Sequence, residues 1–182
     1  MNGVQAISVT QTQLDMTRRF SLAREVRRRF WLRRARKTGA VIGSSPKINR
    51  RTVLSPKTSV GVNFNSNGLE VHGPGSVTIG NNFHCGRNCT IMTYNHNYKG
   101  GAIPYDPTFI VEDTIIGDNV WFGLDVVVLP GVTIGEGAII QAGSVVITDV
   151  SALAIVGGHP ARQFSMRDAD HYQTLKSLQK FY

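Results

Sequence analysis

Residues 116–135 read IGDNVWFGLDVVVLPGVTIG, and the spacing within this stretch decides the fold. Every sixth residue from Ile116 is apolar: Phe122, Val128, Ile134, Ile140 and Val146 follow it. Four residues after each stands a small or β-branched residue: Val120, Val126, Val132, Ala138, Ser144 and Val150. A short strand and a tight corner together occupy six residues. Three such units close one triangular coil of about eighteen, and stacked coils pair at about 4.8 Å with the repeated aliphatics inside. Gly117, Gly123 and Gly135 directly follow the apolar position and are expected at corners that need φ > 0. A β-sandwich would alternate with period two and have irregular loops.

The repeat extends outward in both directions. Ile79, Cys85 and Ile91 keep the six-residue step, with Phe83 and Cys89 at the companion position, so a parallel β-helix is expected over Ile79–Ser151. Upstream, Val53, Val60, Val62, Leu69, Val71 and Val77 are interrupted by Gly61, Gly68, Gly73, Pro74 and Gly75. These read as first coils over 47–78 with irregular corners. The register breaks after His96 and resumes at Ile110, leaving an excursion over 97–109. Loops leaving a rigid scaffold are where sites are usually built.

The chain divides into 1–39, a basic N-terminal segment; 40–164, the β-helix domain; and 165–182, a C-terminal helix starting near Ser165. Residues 1–13 are polar and expected to be mobile. Residues 14–38 read as a helix, with Leu22, Val26 and Phe30 on one stripe and Gly39 as its stop. Leu14–Thr38 hold ten basic residues against two acidic ones, which is the whole formal charge of +8; the remaining ten of each sign cancel. The high pI therefore describes one segment and not a basic surface throughout. That helix has three readings: it lies on an anionic membrane, packs on the coil or a neighbouring subunit, or binds nucleic acid. No nucleic-acid motif accompanies it, so no nucleic-acid partner is expected. In the C-terminal helix, Phe164, Met166, Tyr172, Leu175, Leu178 and Phe181 are expected to cover a coil face.

No apolar run approaches a bilayer span, and Met1–Thr17 lacks a signal-peptide core, so a cytoplasmic protein is expected, with peripheral contact at the inner membrane face if the basic helix lies on lipid. Cys85 and Cys89 have no cysteine partners elsewhere and read as core residues. His72, His84 and His96 are twelve residues apart. In a coil of about eighteen, steps of twelve land on different edges, so one subunit does not bring them to a single metal ion, and no metal is expected.

The segments Ile116–Gly123 and Leu129–Gly135, then Ala142-Gly143-Ser144-Val145-Val146 and Gly157-Gly158-His159-Pro160-Ala161-Arg162, resemble the hexapeptide-repeat acyltransferase family, as does Asn95-His96 before a loop. The likeness covers about 60–165 and is closest to the sugar and maltose O-acetyltransferase branch. It implies a left-handed β-helix, a homotrimer, acetyl-CoA as donor and active sites between subunits. Acetyl transfer to a hydroxyl needs a base within hydrogen-bond reach, and imidazole suits that task. By resemblance His96 is the general base, with direct attack of the acceptor on the thioester.

The same resemblance sets Trp121 beside the cofactor arm, Ala142 and Gly143 at the pantetheine turn, and Arg162 on a CoA phosphate. Gly123 is the expected backbone oxyanion donor. Asn95, Tyr98, Tyr105 and His84 are expected on the acceptor side, with acceptor choice set by loop 97–109 and the ragged coils before residue 79. The chain departs from the family at two points. Ile147-Thr148 precede Asp149 where the family often has Thr-Lys, and Ser165 replaces a second basic residue for which Arg167 is the possible substitute. The rival functions are N-acetylation of an amino sugar or small amine, and a non-catalytic or metal-binding scaffold.

Overall fold

The computed structural model describes the backbone of residues 11–182 and the side chains from Leu22 onward. The segment 1–13, expected to be mobile, lies outside the described residues except for its last three. Helix α1 (Gln11–Arg36) precedes three parallel sheets. A turn over 37–39 follows its end and closes on Gly39, whose φ of +89° suits a residue without a side chain.

The three sheets are the faces of the β-helix. Ile115 pairs with Thr133, Trp121 with Ile139, and Val127 with Val145, the same eighteen-residue step on each face. Coiling begins earlier than position 47, because Val41 and Ile42 already pair with Ser59 and Val60. The first coils look ragged in sequence because their interior carries polar side chains: Thr52, Thr58, Asn65 and Ser66 are buried, and the Thr52 and Ser66 hydroxyls share a hydrogen bond of 2.8 Å. Further on the interior is apolar. All six residues of the Ile116 column are buried, and Phe122 meets Phe83 edge-on at 5.0 Å.

The corners correct one expectation. Gly117, Gly123 and Gly135 do not have positive φ; Asn119 and Asp125 do, at 58° and 56°, two residues later in each hexad. Asparagine and aspartate tolerate this region because their short side chains bond locally. The Asn82 amide donates to Asn119 Oδ1 at 2.9 Å, joining successive corners. The glycines are needed for a different reason. A Cβ on Gly117 would lie 2.7 Å from the Glu136 nitrogen, and one on Gly123 would lie 2.5 Å from the Ala142 nitrogen. They allow the next coil to approach.

The break after His96 is a β-arm. Tyr94–His96 pairs antiparallel with Phe109–Val111, His96 opposite Phe109. The coil then resumes in register, with Trp121 beside His84.

The C-terminal expectation also changes. Residues Ala161–Met166 form a strand that folds back antiparallel on Ala154–Gly158, with Ile155 opposite Ser165. The last coil strand thereby gains a backbone partner, which a helix starting at Ser165 would not supply. Helix α2 is Ala169–Ser177, capped by Asp168, whose side chain accepts from the His171 N–H. It buries no side chain completely, and Phe164 and Met166 stay exposed on the strand. Its anchor is polar. Glu136 accepts from Tyr172 Oη at 2.8 Å and from Lys176 Nζ at 2.5 Å, while Asn119 donates to Tyr172 Oη at 2.7 Å.

Candidate active site

The repeat places the expected site residues in three groups. The first is the neck of the arm. The His96 ring stacks on Tyr105 with centroids 3.9 Å apart and tilts against Phe109 at 5.1 Å. The ring is half-buried between these two aromatic side chains. Aromatic packing fixes the ring plane. Asn95 is exposed beside it, and Tyr98 is exposed at the start of the tip.

The tip is tied down by Asp106, which sequence reading missed. Asp106 accepts from the Thr108 hydroxyl and N–H and from the Gly101 N–H. These bonds, the Thr108 ones foremost, hold its carboxyl below the usual carboxylate range.

The second group runs along one corner of the coil. Gly123 sits directly over Ala142 in the next coil. Gly158 donates to the Ser144 hydroxyl at 3.3 Å, and Gly157 pairs with Arg162 across the terminal hairpin. Trp121, Gly123, Ala142, Gly143 and Arg162 thus follow one edge, with Ala142, Gly143 and Arg162 exposed and the Trp121 side chain half exposed. One assignment fails on geometry. The Gly123 N–H donates to the Ile140 carbonyl at 2.8 Å, so the coil ladder has already taken the hydrogen that an oxyanion would need. The closeness of Gly123 to Ala142 is what the corner uses.

The third group is a cavity of about 400 Å³ between the coil and α2. His84, Trp121 and Arg167 share it with Tyr172, Lys176 and Tyr182. Burial, and next the charge on Lys47, lower the basicity of His84, whose ring stacks on Tyr182 with centroids 6.3 Å apart. Arg167 lines this cavity, held by the coil and by Tyr172. Its Nε donates to the Gly137 carbonyl at 2.6 Å, and its guanidinium lies over the Tyr172 ring. Sequence reading named His84, Trp121, Arg167 and Tyr172 separately and missed Lys176 and Tyr182; only α2 folding back makes one cavity of them.

Cys85 and Cys89 are buried, as their register position requires. Hydrogen bonding with Cys85 and burial push the Cys89 thiol up, which keeps it from acting as a nucleophile. Among the described residues, no three of His, Cys, Asp and Glu stand together as a metal site. Nor is any described helix long and apolar enough to cross a membrane.

Within the chain, the arm and the two groups that share Trp121 do not form one centre. Trp121 faces outward from the His84 sheet, whereas His96 leaves the coil on the arm after Cys89–Met92.

The bacterial transferase hexapeptide (six repeats) family model matches residues 113–148, the regular coils. The galactoside O-acetyltransferase of Escherichia coli (strain K12) is 34% identical over 117 residues, which are 62% of this chain and 57% of that protein. A galactoside acetyltransferase solved in complex with coenzyme A superimposes with a TM-score of 0.60 at 25% identity, covering 76% of this chain and 70% of that one. Residues 113–148 thus carry the hexapeptide repeat, and the chain has the fold of hexapeptide-repeat acetyltransferases. A chloramphenicol acetyltransferase of Agrobacterium fabrum (strain C58 / ATCC 33970) is 45% identical over 58 residues, 32% of this chain and 28% of its own. The chain thus spans little more than half, and as little as about a quarter, of these two curated relatives.

Proposed function

We propose that this hexapeptide-repeat protein transfers an acetyl group from acetyl-CoA to a hydroxyl of a sugar or glycan precursor, with His96 as general base. The observation that carries the reading is the arm. The regular solenoid is interrupted by this arm, and a histidine whose ring plane is set by aromatic stacking stands at that point, in a chain whose structural neighbour holds coenzyme A.

An imidazole nitrogen of His96 takes the acceptor's hydroxyl proton as the oxygen attacks the thioester carbonyl. The tetrahedral oxyanion collapses, the carbon–sulfur bond breaks, and the departing thiolate takes the proton from the imidazolium. No acyl-enzyme forms in this scheme, in keeping with the two buried thiols. Along the corner, exposed Ala142 and Gly143 admit the pantetheine chain, and Arg162 takes a phosphate. The catalytic centre is completed in a homotrimer, where the arm of one subunit meets the Trp121 corner of the next. The outward apolar side chains Ile115, Trp121, Leu124 and Ile147, all exposed in a single chain, support such packing.

The test is turnover on a panel of sugar, amino-sugar and small-amine acceptors, read by free-thiol release. His96→Ala is expected to lower kcat/KM by about 10²–10⁴ on the best acceptor while acetyl-CoA binding and the melting temperature stay unchanged. Near-normal turnover of that variant would refute the role. Acetyl transfer confined to amines would replace the hydroxyl acceptor with a nitrogen one.

A further inference from the structure

Helix α1 has two faces, and the coil uses only one. Ala35 is completely buried, Trp31 and Leu32 pack against the core, and Arg28 Nε donates to Asn49 Oδ1 at 2.6 Å. With 3.6 residues per turn, Leu22, Val26 and Phe30 fall within an arc of about 80° on the opposite side. They stand 67%, 60% and 51% exposed and, with Ala23 and Arg27, line a trough that offers no polar surface. On the same wheel Arg29 and Arg36 border the stripe on one side, and Arg27 and Arg34 border it on the other. The Arg34 guanidinium lies 5.8 Å from the centre of the Phe30 ring.

We propose that this outer face of α1 docks the protein on an anionic lipid surface. The aliphatic and phenyl groups enter the boundary between headgroups and acyl chains, while the bordering arginines, on long flexible stems, meet lipid phosphates. Two other occupants fit less well. A second copy of the helix would set arginine borders against each other, because 22–37 carries eight basic residues and one acid, Glu25, which Arg29 already engages at 3.2 Å. Nucleic acid would satisfy the arginines but leave the apolar stripe in water. Only a charged interface with an apolar interior matches both components. The proposal is independent of acetyl transfer.

The test uses the full-length protein and sedimentation with vesicles of phosphatidylcholine alone or mixed with phosphatidylglycerol. Retention on the mixed vesicles is expected to exceed that on neutral ones by more than tenfold and to fall as salt rises. Replacing Leu22, Val26 and Phe30 together by serine should lower that retention by more than tenfold without changing the melting temperature, because all three side chains are already exposed. In a second arm, Phe30→Trp fluorescence should be quenched by brominated acyl chains, which reads insertion without disturbing the fold.

Absence of vesicle retention, equal retention of the triple-serine variant, or no quenching at position 30 would overturn the proposal. A drop in the protein's mass on serine substitution would assign the stripe to a second copy. Binding to duplex DNA without vesicle retention would assign the arginines to nucleic acid. Either result also overturns it.

Discussion

The coil interior and the two appendages on it, the arm and α2, are stabilised by different physics. Inside the coil, Phe122, Val128, Ile134 and Ile140 are buried, and their backbones sit in parallel ladders. Neither appendage buries a large side chain completely. The arm tip depends on Asp106, and α2 depends on Glu136, Tyr172 and Lys176. Burial of apolar area is non-directional and insensitive to pH, whereas a carboxylate holding N–H and O–H donors is local and titratable. The coil should therefore set global stability, and the appendages should set local order near the candidate site.

The largest expected effect tests the coil side. Phe122→Ala removes a completely buried ring that packs on Phe83 and should cost about 3–5 kcal/mol of unfolding free energy. Chemical denaturation would measure this. A loss below about 1 kcal/mol would mean that the interior relaxes freely, as in a loosely packed core.

The arm should respond to Asp106→Asn in the opposite way. The carboxylate accepts from Thr108 with one oxygen and from the Gly101 N–H with the other. An amide can present its oxygen to one of these partners, not both. Amide exchange at Gly101 or Thr108 should quicken by roughly tenfold, the scale of one net hydrogen bond, while the denaturation midpoint stays put. A shift of the midpoint comparable to that of Phe122→Ala would erase the distinction between coil and arm.

The same contrast explains what could be read in advance. The Ile116 column was legible because each coil presents the same interior to the same residue type, so one chemical demand recurs at a fixed interval. The arm was legible only as a gap in that recurrence. The strand pairing of its neck, His96 opposite Phe109, has no periodic signature. The corner glycines were placed correctly but for the wrong reason, because a sequence does not separate a demand on φ from a demand on space between coils. Gly123 was misread as an oxyanion donor on similar grounds: its N–H is used by Ile140, a partner supplied by stacking. The strand Ala161–Met166 and the cavity beneath α2 depend on the chain folding back on its last coil. His84, Trp121 and Arg167 meet there from three distant segments, and nothing in their separate neighbourhoods announces it.

The smallest expected effect concerns the α2 anchor and its dependence on pH. Lys176 above all, with Tyr172 and Asn119, holds the Glu136 carboxyl below the usual carboxylate range. A folded-state value below the unfolded one means that the contribution is present above the ordinary carboxylate range and is lost as pH falls through the depressed value. Tyr172 responds at the other extreme. Burial, with Glu136 as acceptor, pushes its hydroxyl up to about 12, so its contribution is present below the ordinary tyrosine range and is lost as pH rises through about 12. Between these limits α2 should stay docked. Because Lys176 and Glu136 are both more than a third exposed, Glu136→Gln should cost about 1 kcal/mol or less. It should also remove the acid-side loss of α2 protection seen by amide exchange, while leaving the alkaline loss through Tyr172 in place. Absence of any acid-side loss in the unsubstituted protein would move the anchor from Glu136 to the apolar contacts of Tyr172 and Leu175. The appendages would then be held by the same physics as the coil.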